Sequence, residues 1–381
     1  MREIISWGCL STARSCVCMS RWTKSLPLVR MSTGARPQVP DTDSGASAPG
    51  HRTGLRAADL ARRLHREKAK RAEDQPPVTR LQRRVAELKQ FSQLLQKVHP
   101  NVLAKSLHRG LLFQNQDFIA INKPFGVPVE DGPGTTNSIK SVLPVLAKMM
   151  DGLTAGSQLH LCHGLDKETT GVLLLARNEE TAEHIRTLFQ THQVERKFWA
   201  VTVGAPVPAE GVVDIPVVER HVAGPQPHFK MSLSPVFRVS DSGEGLTRVR
   251  GQRQAARAVT RYRVLDNGQG CSLVELQPVT VVKHQLRVHM AYGLSCPILG
   301  DHKYAHWNKL APQKLPEGIL KKLGLEQNKV RHLPLHLHAR QLTLPQFKGH
   351  GDITVSCFLP KFFTSTVKRL QITFPEKPQE L

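Results

Sequence analysis

From Leu111 onward, short apolar runs of the kind found in β-strands alternate with segments whose apolar residues recur at helical spacing. Ser138–Met150 has helical spacing, and so has the segment that begins at Asn178, a favourable helix N-cap. The strand-type runs are Phe118–Ile121, Leu159–Cys162, Val172–Ala176, Lys197–Val203, Ala258–Leu265, Ser272–Gln277, Leu335–Leu344 and Ile353–Leu359. Glu219–Arg257 has weak periodicity, which predicts a hairpin or loop at the surface. The alternation predicts a domain that mixes helices and strands.

Length and composition restrict the class of protein. The chain has 381 residues, 40% of them hydrophobic, which allows one large domain or two smaller ones. No apolar stretch reaches the roughly 18 residues that a membrane helix requires, so no membrane insertion is expected. The formal net charge of +22 favours a polyanionic partner, first nucleic acid and second an anionic membrane surface. The cysteines show no zinc spacing, so reduced and unpaired thiols are expected.

Residues 1–40 have the composition of a targeting segment. Between Ile4 and Pro40 there is no acidic residue, while basic and hydroxyl side chains are frequent. This composition is typical of a mitochondrial transit peptide, and the segment lacks the continuous apolar core of a secretory signal. We therefore predict mitochondrial import, with a disordered basic tail as the alternative. Residues 41–54 are rich in Gly, Ser, Pro and Asp, as expected of a linker.

Residues 55–110 are predicted to form a basic helical arm. Between His51 and Gly110, 15 Lys and Arg residues stand against 5 Asp and Glu. Ala57–Ala72 contains strong helix formers and almost no apolar face, whereas Val85–Val98 is more amphipathic. Two interpretations are open for the arm: it contacts RNA phosphates, or it is a solvated charged linker.

Three segments after residue 110 combine turn signals with chemically active side chains. Asn122–Gly126 ends an apolar run in a Lys-Pro turn. His163–Gly171 places an acidic residue in a turn between two predicted strands, a favourable position for a cleft. Lys283–His289 carries Arg287, a cation that is able to pair with a carboxylate, and Cys296–Asp301 follows as a turn suited to the rim of a site.

These segments resemble the motifs of the RluA-type pseudouridine synthases. HGLDKETTG resembles the family's HRLDxxTSG, and KHQLRVHMAYGLSCPILGDHKY resembles THQIRVH followed by PIxGDxxY. NKPFGVPV is similar to the family's first motif, and ERKFWAVTVG is similar to the strand that carries its stacking aromatic residue. The motifs occur in the family's order, which makes residues 111–375 the expected catalytic domain. The resemblance implies an α+β fold: a mixed, largely antiparallel sheet with peripheral helices around a basic cleft.

The resemblance also implies an activity, the isomerisation of uridine to pseudouridine in RNA without a metal, nucleotide or redox cofactor. Asp166 matches the family's catalytic aspartate, and Arg287 matches the arginine that pairs with it. Leu286 matches the aliphatic residue beneath the uracil ring, and Phe198 matches the stacking aromatic residue, a tyrosine in most members. Stacking survives the change from tyrosine to phenylalanine because it uses only the face of the ring.

Two positions depart from the family's pattern. Gly164 stands where the family has an arginine that helps to hold open the site from which the base is extruded. Lys167, Lys123 and the basic arm are the candidates to take over that role. Val281 replaces a glycine that usually precedes the His-Gln pair. Because neither change removes the carboxylate, an active enzyme with altered substrate handling is expected.

Four histidines raise the question of a metal site. His284 and His289 lack the H-E-x-x-H spacing and are expected to be structural. His336 and His338 alternate along a predicted strand without an acidic ligand nearby in the sequence, so a polar sheet face is expected there and not a metal pair.

The favoured function is therefore a pseudouridine synthase of the mitochondrial matrix that acts on rRNA, tRNA or mRNA. Mitochondrial ribosome-assembly or RNA-processing proteins are expected as further partners. The alternative is a non-catalytic RNA-binding or ribosome-assembly factor that retains the fold, an interpretation favoured by Gly164, Phe198 and Val281. The presence of both Asp166 and Arg287 favours the enzyme, because a decayed site need not keep both.

Overall fold

The computed structural model describes residues 61–67, 79–132, 134–151, 158–223, 227–234, 237–239, 246–248, 254–349 and 351–375. The predicted transit peptide (1–40) and linker (41–54) lie outside these residues. The chain divides into two compact units, Met1–Ala72 and Glu73–Leu381. In the first unit, residues 61–67 form helix α1, whose side chains are exposed.

Strands make up the centre of the second unit. They are β1 (Leu111–Gln114), β2 (Phe118–Lys123), β3 (His160–Leu161), β4 (Thr170–Ala176), β5 (Glu195–Val203), β6 (Glu210–Asp214), β7 (Val217–Val222), β8 (His228–Leu233), β9 (Phe237–Val239), β10 (Leu246–Arg248), β11 (Val259–Gly268), β12 (Cys271–Pro278), β13 (Leu337–Leu344) and β14 (Ile353–Ser356). Two separate hairpins, β7–β8 and β9–β10, occupy the region expected to form a hairpin or loop.

The other ten strands form one sheet. Its order is β1-β2-β4-β13-β5-β12-β11-β6, with β3 paired to β4 and β14 paired to β13. Among the described strands, β4 and β13 are the one parallel pair, and the remaining neighbours are antiparallel. The predicted mixed, largely antiparallel sheet is therefore confirmed.

Helices flank this sheet at several points of the chain. They are α2 (Arg80–Gln93), α3 (Pro100–Arg109), α4 (Ile139–Asp151), α5 (Glu179–Gln190), α6 (Gln285–Val288), α7 (Glu317–Leu323) and α8 (Lys361–Arg369). A π-helical turn (His289–Gly293) continues α6, and 3₁₀ turns span Gln327–His332 and Phe347–Gly349. The side chain of Asn178 caps α5 by accepting a hydrogen bond from the backbone N–H of Thr181 at 2.8 Å, as its position in the sequence predicts. No helix in the described part of the chain is long and apolar enough to cross a membrane.

Two helices of the expected arm pack into the core of the second unit. Val85 and Leu88 of α2 share a buried hydrophobic cluster with Val201 of β5 and Phe363 of α8. Leu107 of α3 is buried in a second cluster, which also contains residues of α4 and β2. The stretch 55–110 is therefore not one separate arm. From Glu73 it belongs to the same compact unit as the sheet, because the apolar stripe of α2 is covered by that unit's own residues.

His336 and His338, for which the sequence predicted a polar sheet face, are both fully buried. Nε2 of His336 is 3.0 Å from the hydroxyl of Thr366 in α8, and Nδ1 of His338 is 2.8 Å from the hydroxyl of Thr170. These hydrogen bonds offset the cost of burying the rings. The expectation of buried, unpaired thiols is confirmed for Cys162, Cys271, Cys296 and Cys357.

Candidate active site

A cleft of about 440 Å³ opens beside the sheet. Its walls come from the loop between β3 and β4, from β5, and from the segment that leads from β12 into α6. Asp166, Lys167, Phe198, Leu286 and Arg287 all line it. The structure therefore brings together five of the six side chains that the sequence nominated, although they come from three distant parts of the chain.

Two glycines fix the backbone on either side of this cleft. Gly171, at the start of β4, has φ +115°, and a Cβ atom there would lie 2.2 Å from the carbonyl oxygen of Ala339 in β13. Gly300, just before Asp301, has φ +82°, and its Cβ atom would lie 2.1 Å from the carbonyl oxygen of Pro334. Only glycine allows both the positive φ and the close approach. These glycines account for the last position of HGLDKETTG and for the Gly-Asp pair of PILGD.

Lys123 lies beneath the loop that carries Asp166 and not in the cleft. Its ammonium group donates hydrogen bonds to the carbonyl oxygens of Pro124, Lys167 and Thr169 at 3.1, 3.0 and 2.8 Å. The side chain is 0% exposed. Burial lowers the pKa of Lys123 to about 7, and the three acceptors match the three N–H donors of the protonated amine. The contact with substrate predicted for Lys123 is thus not available to it here; the residue instead holds the loop in place.

The guanidinium of Arg287 is surrounded by carboxylates. Nε and Nη2 each donate a hydrogen bond of 2.8 Å to Asp301, which is fully buried. Nη1 lies 3.6 Å from Asp166, and Nη2 lies 3.2 Å from Glu168. Burial alone would lower the pKa of Arg287, but the charge and hydrogen bonds of Asp301, together with the charges of Glu168 and Asp166, outweigh burial and raise that pKa. Burial alone would raise the pKa of Asp301, but the charge and hydrogen bonds of Arg287, together with the backbone N–H groups of Tyr304 and Lys303, hold it below its usual range.

The carboxylate of Asp166 is 26% exposed, so it is accessible from the cleft. The sequence paired it with Arg287, and the structure places the two groups near each other. The direct partner of Arg287 is nevertheless Asp301, the last residue of the motif CPILGD, which the sequence indicated only as the rim of a site. A bidentate pair of this kind fixes the orientation of the guanidinium next to Asp166.

His284, expected to be merely structural, is a neighbour of Asp166. Its Nε2 lies 3.7 Å from the carboxylate, and its Nδ1 lies 2.6 Å from the hydroxyl of Tyr304. Burial lowers the pKa of His284 to about 4, so the ring is neutral at physiological pH. The Tyr304 hydroxyl also accepts a hydrogen bond from the backbone N–H of Met231 at 3.2 Å, which holds the phenol beside the imidazole. The backbone of His284 is left-handed, with φ 56°, a conformation that no spacing rule reveals.

Apolar side chains form the remaining walls. Phe198, 6% exposed, and Leu286, 8% exposed, present carbon surface to the cleft together with Val129 and Leu337. A planar ring with polar edges suits such a cavity, because its faces contact carbon while its edges reach the charged groups. The positions of Phe198 and Leu286 at the site were predicted only from their match to the family's motifs.

The two departures from the family's pattern also lie at this cleft. Gly164 is exposed, and no atom lies within 4 Å of the place where its Cβ atom would be. Val281 is 56% exposed and lines both the cleft and an adjoining groove of about 480 Å³. Lys167 is exposed at the cleft's edge. Arg196 of β5 also lines the cleft, a position that no sequence pattern indicated.

No cluster of three or more His, Cys, Asp or Glu side chains suited to a metal ion occurs among the described residues. Of the histidines considered as ligands, His289 is buried with Nδ1 2.9 Å from the Thr260 hydroxyl and Nε2 2.9 Å from the carbonyl oxygen of Ile215. Its structural role is the one the sequence suggested.

The fold and the cleft define an enzyme that isomerises uridine in RNA. The family model for RNA pseudouridylate synthase matches residues 117–292, a stretch that contains Asp166, Phe198 and Arg287. Together with the relatives described next, this shows that the chain belongs to the RNA pseudouridylate synthase family and is a pseudouridine synthase, an isomerase.

The chain is 63% identical to the mitochondrial pseudouridylate synthase RPUSD4 of Danio rerio, over 89% of this chain and 95% of the relative. It is 52% identical to the protein of the same name from Homo sapiens, over 86% of this chain and 87% of the relative. The solved structure of human RNA Pseudouridylate Synthase Domain Containing 4 aligns with a TM-score of 0.66 at 52% identity, covering 73% of this chain and 98% of that chain.

Proposed function

We propose that this chain converts uridines of mitochondrial RNA to pseudouridine in the matrix, with Asp166 as the nucleophile. The observation that carries the proposal is the position of Asp166: its carboxylate is accessible from an apolar cleft and lies 3.6 Å from the guanidinium of Arg287, which Asp301 holds in place. A carboxylate in this position can reach a substrate bound in the cleft, as a nucleophile must.

The reaction balances without any further reactant. Asp166 attacks C1′ of the ribose while the bond between C1′ and N1 breaks, and the electron pair of that bond leaves with the uracil ring. The ring turns, C5 forms a new bond to C1′, and the carboxylate leaves. The proton on C5 is then lost and N1 takes up a proton, so the product is an isomer of the substrate. The covalent intermediate on Asp166 divides one difficult bond exchange into two easier steps.

The cleft supplies the contacts that this sequence of steps needs. The ring of Phe198 offers a face for the uracil to stack on, and Leu286 offers an aliphatic surface. The imidazole of His284 lies 3.7 Å from the carboxylate and is hydrogen-bonded to Tyr304. Carbon surface encloses the flipped base, so the medium around Asp166 has low polarity. Electrostatic interactions between the charged groups there are therefore stronger than they would be in water.

RNA as the substrate fits the charge of the surface as well as the cleft. The groove next to the cleft is lined by Arg257 and Arg261, and it shares the segment Thr280–Val282 with the cleft. Lys167 lies at the cleft's edge. Positive side chains along a continuous groove are the usual means of following a nucleic-acid backbone. We expect the RNA strand on each side of the target uridine to pass over these residues.

The mitochondrial location is supported by the segment 1–40, which contains arginines and has no acidic residue between Ile4 and Pro40, and the relatives RPUSD4 of Danio rerio and Homo sapiens are mitochondrial by name. Ribosomal, transfer and messenger RNA of the organelle are the substrate classes to compare. Ribosome-assembly or RNA-processing proteins of the same compartment are the protein partners we propose.

The test is a map of pseudouridines in mitochondrial and cytosolic RNA from cells that lack the chain. Re-expression of the complete chain should restore a defined set of pseudouridines, and the class of RNA that contains them identifies the substrate. Re-expression of Asp166→Asn at equal level should restore none, since the amide keeps the shape of the side chain but cannot act as the nucleophile. Pseudouridines that persist without the chain serve as internal controls.

Two outcomes would contradict the proposal. If Asp166→Asn restores every lost pseudouridine, the chain acts on RNA without this carboxylate. If the sites that disappear lie in cytosolic RNA alone, the enzyme works outside the organelle.

A further inference from the structure

Arg196 occupies a particular place in the wall of the cleft. It precedes Phe198 by two residues in β5, so the two side chains project from the same face of the strand. Its Nη2 donates hydrogen bonds to the carbonyl oxygens of Pro278 and Thr280 at 3.1 and 2.9 Å. The guanidinium is thus tied to the segment that leads from β12 to α6, the opposite wall of the same cleft.

The charge of Arg196 has no counterion in the described part of the chain. None of the ion pairs there includes this residue, in contrast to Arg287, which has three carboxylates around it. Nε of Arg196 is buried and has no hydrogen-bond partner among the described residues. Burial lowers the pKa of Arg196 to about 10, which still leaves it protonated at neutral pH. A charged group that is largely desolvated and unpaired is costly, so an anion that reaches it gains affinity.

Nη1, the remaining nitrogen of the guanidinium, makes no hydrogen bond with the described residues. Unlike Nε, it is not fully buried. The ring of Phe189 lies 5.6 Å from the guanidinium carbon, so an aromatic face covers part of the group without supplying a negative charge.

Gly164 leaves space in front of Arg196. Both residues line the catalytic cleft, and both also line a small adjoining cavity. Because Gly164 has no side chain and nothing lies within 4 Å of the position of its Cβ, a bulky group of the substrate can approach this part of the wall. At Gly164 the opening is bordered by backbone and not by a side chain, so a large anion such as a phosphodiester has room to enter.

We propose that Arg196 binds a backbone phosphate of the RNA next to the target uridine, in the space left by Gly164. This inference rests on the proposed function of the cleft. The same strand then supplies the stacking ring of Phe198 and the phosphate contact of Arg196, which fixes the position of the ribose relative to Asp166. Nη1 is suited to this task because it can donate charge-assisted hydrogen bonds to a phosphate while Nη2 stays bound to the two carbonyl oxygens.

The experiment measures the affinity of the purified full chain for fluorescein-labelled oligouridine over a series of salt concentrations. Arg196→Gln keeps an N–H donor for the two carbonyls but removes the charge. It should weaken binding, and the slope of log Kd against log salt should fall by about 0.7, the value for one phosphate contact in a single strand. Arg196→Lys should keep the slope. Arg263→Gln, at an exposed arginine of β11 paired with Glu275, is the matched control and should leave both affinity and slope unchanged.

An Arg196→Gln variant with the wild-type slope would overturn the proposal, even if its affinity were lower, because a purely structural role does not change the number of phosphates bound. If that variant does not fold, a second pair of variants gives the answer. Gly164→Glu and Gly164→Gln have nearly equal size, and nothing lies within 4 Å of the Cβ position at residue 164, but only the glutamate adds a negative charge to the cleft that Arg196 also lines. The proposal requires weaker binding and a smaller slope for Gly164→Glu than for Gly164→Gln; equal slopes would contradict it. If the wild-type chain forms pseudouridine but Arg196→Gln keeps the wild-type slope, only the Arg196 contact is refuted. The proposed enzymatic function is not affected by that result.

Discussion

Arg287 makes two hydrogen bonds of 2.8 Å with Asp301, whereas its contact with Asp166 is 3.6 Å long. One carboxylate, fully buried, therefore fixes the guanidinium, and the other, accessible from the cleft, is left for chemistry. This division explains how Arg287 can lie close to Asp166 without closing it off from the substrate. Asp301 is a positioning residue for that arrangement.

Substitution of Asp301 by asparagine is expected to lower the free energy of unfolding by about 3 kcal/mol, since it leaves a buried arginine without its main counterion. Urea unfolding followed by circular dichroism measures the change. Glu219→Gln is the matched control, because Glu219 pairs with Lys283 at the surface and its loss should cost less than about 1 kcal/mol. Equal stability of the two variants would show that the buried pair has no special weight.

The two lysines that the sequence assigned to the substrate are expected to behave differently. Lys123→Met removes the donor for three carbonyl oxygens beneath the loop of Asp166, so it should cost about 1–3 kcal/mol of stability and lower kcat. Lys167→Met, at an exposed position of the same loop, should change stability by less than about 0.5 kcal/mol and raise KM. Steady-state kinetics and urea unfolding of both variants provide the comparison. A Lys123→Met protein of normal stability with only a raised KM would restore the original assignment.

Substitution of Phe198 tests whether the uracil base stacks on an aromatic ring in the cleft. Phe198→Leu keeps the wall apolar but removes the ring, and loss of a stacking interaction of about 1–3 kcal/mol should reduce kcat/KM by roughly 5- to 150-fold. Phe198→Tyr keeps the face of the ring and should retain most of the wild-type value. Kinetics on one defined RNA decide the question. If leucine is tolerated as well as tyrosine, the aromatic ring has no part in binding the uracil.

Because burial keeps several histidines neutral, the protein is expected to lose stability in mild acid. Burial lowers the pKa of each of four imidazoles to about 4; these are His163, His284, His336 and His338. Between the ordinary value of 6.5 and pH 4 the unfolded chain binds protons that the folded chain does not, so the free energy of unfolding falls as the pH falls. Each histidine contributes up to about 1.4 kcal/mol per pH unit in that window. Urea unfolding at about pH 7 and about pH 5 should show a clear decrease; equal midpoints would mean that these rings are protonated in the folded protein.

Local sequence signals predicted the strands and helices well. The helix after Asn178 begins at its expected cap, and the strand Val172–Ala176 appears as β4 with two more residues at its start. These elements depend on contacts within a short stretch of chain, namely a capping side chain and a continuous apolar run. The motifs likewise identified Asp166 and Arg287 because their spacing is characteristic of the family.

The remaining features of the site depend on contacts between residues that are far apart in the sequence. The apolar stripe of α2 was visible in the sequence, but its burial depends on residues such as Phe363, far along the chain. His284 turns toward Asp166 because its backbone is left-handed and Tyr304 binds its ring, and neither feature has a local signal. Arg196 was missed for the same reason: its missing counterion becomes apparent only when its surroundings are known.

The central claim is that Asp166 converts uridine to pseudouridine, and release of the C5 hydrogen measures it most directly. Mitochondrial RNA transcribed with tritium at C5 of uridine is incubated with the purified chain or with Asp166→Asn, after equal RNA affinity and equal unfolding midpoints have been verified. Because C5 gives up its hydrogen when it bonds to C1′, the wild-type chain should release tritium in step with pseudouridine formation, and Asp166→Asn should stay at background. Release by Asp166→Asn at the wild-type rate would contradict the account.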